Sequence, residues 1–95
     1  MHDNICYVIV QKYNKAFVPT VLIIGPYRFY FYSHELNEPP HIHIDREGCS
    51  AKFWIKNISL AKNLGFRQKE LNILHKLVAK HQKKLLGKWH EYFGS

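Results

Sequence analysis

The sequence predicts an α+β domain, an antiparallel sheet of about four strands with a long C-terminal amphipathic helix packed across one face. Three observations predict it. Apolar and polar residues alternate with period two over most of the stretch from Thr20 to Lys56. Turn residues interrupt that alternation at Gly25-Pro26, Pro39-Pro40 and Glu47-Gly48. From Leu71 onward the apolar spacing changes to three and four, the spacing of a helix face.

The elements follow in order. Thr20 to Ile24 is a short apolar, β-branched strand, and Gly25-Pro26 turns the chain. Tyr27 to Ser33 is rich in aromatic residues and predicts a second strand. Glu35 to Pro40 is a polar loop, and its two prolines each fix φ and push the preceding residue toward extended geometry. His41 to Arg46 and Cys49 to Lys56 form a hairpin around Glu47-Gly48. Placing Arg46 opposite Cys49 sets Ile44 against Ala51 and Ile42 against Phe53 on the core side. On the other side His43 meets Lys52, His41 meets Trp54, and Asp45 meets Ser50. A slip of one residue would mix the faces, so this register is well specified. Glutamate suits a turn position of positive φ poorly, and a four-residue loop keeps the same register. Pairing His34 with His41 extends the sheet upstream, with Tyr32 opposite His43, Tyr30 opposite Asp45 and Phe31 against Ile44.

The helix starts near Phe66 to Leu71, with Glu70 at the third helical position and Arg67 as a poor cap. Leu71, Leu74, Leu77, Val78, His81, Leu85 and Trp89 make its apolar stripe. The stripe covers Leu22, Ile24, Phe29, Phe31, Ile42, Ile44, Phe53 and Ile55. Trp89, Tyr92 and Phe93 continue it beyond Gly87, which predicts a kink there. Residues 1–17 read as an N-terminal extension or an edge strand (Ile5 to Val10), and residues 18–95 as the single domain.

The 95 residues carry a net charge of +7, and its distribution is uneven. Residues 1–57 are nearly neutral. The later part holds Lys62, Arg67, Lys69, Lys76, Lys80, Lys83, Lys84 and Lys88 against Glu70 and Glu91. Lys69, Lys76, Lys80 and Lys83 recur as one solvent-facing stripe, a charge pattern suited to nucleic acid or to an acidic protein. No apolar run approaches the ~20 residues of a membrane span. Cys6 and Cys49 do not suggest a disulfide framework. The start lacks the basic residues of a signal peptide, so a cytoplasmic protein is expected.

The chemistry concentrates in Asn37-Glu-Pro-Pro-His-Ile-His-Ile-Asp45. His41 and His43 share the exposed, non-core face with Tyr30, Tyr32, His34, Lys52 and Trp54. Three uses fit. His41 and His43 could give and take a proton while Lys52 steadies a phosphate, as metal-free RNA cleavage requires. The two imidazoles could bind a metal with His34 or Asp45, although four ligands are not evident and Lys52 would repel a cation, so neither metal nor cofactor is expected. Or the face could bind without chemistry: Arg28, Tyr30, Tyr32, His34 and Trp54 suit stacked bases and phosphates, alongside Lys69, Lys76, Lys80 and Lys83.

Several segments together resemble one family. They are Val21-Leu-Ile-Ile-Gly-Pro-Tyr-Arg-Phe-Tyr-Phe-Tyr-Ser33, Glu38-Pro-Pro-His-Ile-His43, Ala51-Lys-Phe-Trp54, Leu64-Gly-Phe66 and a helix ending Trp89-His-Glu-Tyr-Phe93. They resemble small uncharacterised prokaryotic proteins catalogued as a domain of unknown function, across about Val18 to Gly94. Genes of that family often lie beside a second small gene in toxin–antitoxin-like pairs. The resemblance implies a cytoplasmic toxin-type protein with a small partner protein from an adjacent gene, and it supplies no catalytic residues. Similar proteins begin near Pro19-Thr20-Val21, so a natural start at Val18 is expected.

Overall fold

The computed structural model describes residues 20–32 and 37–94. Five antiparallel strands run side by side in chain order: β1 (Thr20–Ile24), β2 (Tyr27–Tyr30), β3 (His41–Arg46), β4 (Cys49–Trp54) and β5 (Ser59–Leu64). Two helices follow, α1 (Gln68–Lys80) and α2 (Gln82–Phe93). The reading of residues 1–17, and of His34, lies outside the described residues.

The β3–β4 ladder has the expected register, from His41 opposite Trp54 to Arg46 opposite Cys49. Its turn accepts Glu47 because only Gly48 takes a positive φ, +75°. That pattern fits a type II turn, which needs a left-handed residue only at its second central position. At the β1–β2 turn Gly25 comes first, with φ +55°, as a type II′ turn requires.

The β2–β3 ladder differs from expectation by two residues. Tyr30 pairs with His43, Phe29 with Ile44 and Arg28 with Asp45. Side chains alternate with period two, so this slide leaves every residue on its expected face and changes only its partners. β2 ends at Tyr30, before Phe31 and Tyr32.

β5 is an addition to the predicted sheet. Leu60 and Leu64 are exposed, so the strand lacks an apolar alternation. The turn before it also lacks glycine. Ile58 takes φ +50° there, a conformation that costs a side-chain-bearing residue about 1–2 kcal/mol. Its side chain packs against the core, which holds it in place.

The core lies between the sheet and the helices. Phe29, Phe31, Ile42, Ile44, Phe53 and Ile55 meet Leu71, Leu74, Val78, Leu85 and Trp89. The helical break falls at His81, not at the predicted Gly87. Gln82 Nε2 donates to the carbonyls of Ile55 (2.9 Å) and Lys56 (3.0 Å), pinning the start of α2 to the end of β4 and its turn. Gly87 continues the helix, and a Cβ built there would meet nothing within 4 Å. Gly87→Ala is therefore expected to raise stability by about 0.5–1 kcal/mol through lost freedom of the unfolded chain. A denaturant midpoint that falls instead would show that the site does not tolerate a methyl group.

Glu70 also departs from its expected capping role. Its carboxylate accepts from Tyr27 Oη (2.7 Å), Arg46 Nε (2.5 Å) and a terminal nitrogen of Arg46 (2.9 Å), tying α1 to β2 and β3. The Arg46 bonds, then the Tyr27 bond, hold its pKa below the ordinary 4.5. A carboxylate depressed in the folded state adds stability that is complete above 4.5 and lost as pH falls through the folded value. Glu70→Gln is expected to melt lower than the parent at neutral pH, the gap narrowing in acid. Parallel melting curves across that pH range would refute this.

Candidate functional site

The second face of the sheet carries a cluster of rings. His41 lies edge-on to His43 (centroids 5.1 Å apart) and to Trp54 (5.7 Å), and tilts against Trp89 of α2 (5.0 Å). His43 stacks on Tyr30 at 5.3 Å and meets Tyr32 edge-on at 4.7 Å. The sheet places these side chains together because β3 offers His41 and His43 on one side, between Tyr30 of β2 and Lys52 and Trp54 of β4.

The face is not open to solvent as the sequence suggested. His41 is 0% exposed and His43 9%. Alternation separates two faces of a strand but does not report whether the second is covered. Trp89 shows one way it is covered: it belongs to the helix stripe, packs on Phe31 at 5.3 Å, and also reaches His41.

Proline geometry sets the tautomer of His41. Its Nδ1 lies 2.9 Å from the carbonyl oxygen of Pro39. A carbonyl can only accept, so Nδ1 carries the hydrogen and, in the neutral ring, Nε2 carries the lone pair. Glu38, on the same loop, accepts from Lys52 Nζ at 2.5 Å and stands 3.7 Å from His41 Nδ1. Glu38 went unread in the sequence. The signal was there, since a carboxylate directly before two prolines is delivered to the start of β3 on a stiff tether.

The remaining expected site residues fall into two groups. Arg28 donates to Thr20 Oγ1 (2.9 Å) and lies over the Tyr30 ring at 4.4 Å. Tyr30 donates its hydroxyl to Asp45 at 2.9 Å, and burial, then the Asp45 charge, push its pKa far above the ordinary value. Lys52 Nζ lies 4.8 Å above Trp54. Lys69, Lys76, Lys80 and Lys83 are all exposed on the helices, as are Lys84 and Lys88. They stand apart from the histidine cluster in the chain and differ from it in exposure. Among the described residues, no group of three or more His, Cys, Asp or Glu is placed to hold a metal ion. No helix among them is long and apolar enough to cross a membrane.

A family profile described as "Domain of unknown function (DUF4160)" matches residues 27–90, from the start of β2 well into α2. The chain belongs to the DUF4160 family. The match takes in β2 to β5, the ring cluster of this DUF4160 domain, Glu38 and all six helix lysines. No curated protein and no solved structure matches the chain.

Proposed function

We propose that this DUF4160 protein binds RNA or other single-stranded nucleic acid through the lysine face of α1 and α2. One contrast carries the reading: six lysines of the two helices are exposed, whereas His41 and His43 are buried. The helices offer few opposing charges. Glu70 is engaged by Arg46 and Tyr27, and Glu91 stands 3.7 Å from Lys88. Each helix is about 18–20 Å long at 1.5 Å per residue, room for several phosphates along the pair. The paired-gene setting that the resemblance implies would fit a toxin-type role, with a small partner protein from the adjacent gene that is acidic enough to cover the lysines. The test is fluorescence anisotropy with a labelled single-stranded oligoribonucleotide across a salt series. The logarithm of affinity should fall with the logarithm of salt by about 0.7 for each phosphate contacted. Absent or salt-insensitive binding would overturn nucleic acid as the ligand and favour the acidic protein.

A second reading, metal-free RNA cleavage by His41, His43 and Lys52, draws on one observation. The Pro39 bond orients His41, and Glu38 bridges toward Lys52. It requires the cover over His41 to open. Cleavage unchanged in a folded Lys52→Ala protein would end it.

A further inference from the structure

Beside the C-terminal half of α2 a cleft of about 340 Å3 opens between β1 and α2, lined by Thr20, Val21, Phe31, Lys88, Glu91 and Tyr92. That volume is near the lower end for small-ligand pockets. Phe31 is 1% exposed, whereas Tyr92 is 40% exposed. The two ring centroids lie 6.2 Å apart, and Phe93 buttresses Tyr92 at 4.9 Å. Lys88 and Glu91 stand 3.7 Å apart with side chains 49% and 73% exposed. So exposed an ion pair holds its members weakly, and a ligand can take either.

We propose that this cleft receives one unstacked guanine of a single-stranded nucleic acid. The proposal rests on the lysine-face reading and names the base that face delivers. Tyr92 supplies an exposed aromatic face, and stacking is how proteins hold bases splayed from a single strand. Lys88 is one of the six exposed helix lysines and also lines the cleft, so it can hold the phosphate of the nucleotide whose base enters. Glu91 decides the base. A carboxylate only accepts hydrogen bonds, and it has two oxygens. Guanine presents two adjacent N–H donors on its pairing edge, whereas uracil presents one N–H between two carbonyls that a carboxylate repels.

Two measurements on the full chain test this. In the first, guanosine monophosphate is titrated at millimolar concentration and followed by NMR. Resonances of Tyr92, Phe31 and Val21 should shift, and uridine monophosphate should shift them much less. The second compares oligoribonucleotides with and without guanine by anisotropy. Tyr92→Ala should weaken the guanine-containing strand roughly tenfold, from the loss of one stacked base. Tyr92→Phe should bind as the parent does, and Glu91→Gln should lose the preference for guanine. The salt slope should stay unchanged in all three, because Lys88 remains. The titration uses the unaltered protein, so it stands even if Tyr92→Ala fails to fold. A mononucleotide does not need the whole lysine face, so the two readings fail separately. Steep salt dependence with unmoved cleft resonances keeps the lysine face and overturns the cleft. Shifts at Tyr92 without oligonucleotide affinity do the reverse.

Discussion

His41→Ala is expected to destabilise the protein by about 2–4 kcal/mol, from a cavity plus a lost buried hydrogen bond. For a domain of this size that lowers the melting temperature on the order of 10–20 °C. The ring is fully buried, in contact with His43, Trp54 and Trp89, and its Nδ1–H satisfies the Pro39 carbonyl. Removing it opens space beneath Trp89 and leaves that carbonyl short of a donor. His41→Asn should fall between the two, because its amide can replace the Nδ1 donor but not the ring. An unchanged melting temperature for His41→Ala would show that the imidazole is dispensable to the fold. From the sequence, where His41 reads as lying on an uncovered face, the same substitution would be expected to cost activity without stability. Calorimetry therefore separates the two accounts without any assay of function.

The second large effect concerns the helices. Changing Lys69, Lys76, Lys80 and Lys83 together to Gln should flatten the salt dependence by about 3 in slope if each lysine meets one phosphate of a single strand. The same counterion term amounts to roughly 10^2-fold in affinity at 0.15 M salt and between 10^3- and 10^4-fold at 0.05 M. All four side chains are exposed, so the fold should be unaffected. Single changes should act almost equally, because phosphate contacts carry little sequence information. A quadruple variant that keeps the parent's slope would move the nucleic-acid contact elsewhere on the surface.

Periodicity made much of this fold legible, and its blind spots are specific. The β3–β4 hairpin could be read to the residue, because a slip of one would have buried His43 and Lys52 with the core. The β2–β3 pairing could not, because a slide of two residues keeps Tyr30, Tyr32 and His43 on the same face. β5 was hidden by exposed Leu60 and Leu64 and by a turn whose left-handed residue is an isoleucine. The helical break moved from Gly87 to His81 because Gln82 finds its acceptors on another element. Grouping His41, His43, Lys52 and Trp54 followed from register. The burial of His41 did not, since part of its cover is Trp89, dozens of residues later in the chain.

The sheet order β1-β2-β3-β4-β5 is also the order of the chain. Each described strand can therefore dock on the one before it, and among the described residues no ladder waits for a distant segment to arrive. Topologies built from such near-neighbour pairings fold faster than those joined by remote ones. Here β1–β2 and β3–β4 close across two-residue turns, Gly25-Pro26 and Glu47-Gly48. The link between β2 and β3 spans residues 31–40 and is the widest gap in the meander. Two small hairpins that form early and then zip together across that gap describe a natural folding route. The Tyr30–His43 contact, which straddles the gap, would then report the moment at which the sheet becomes one piece.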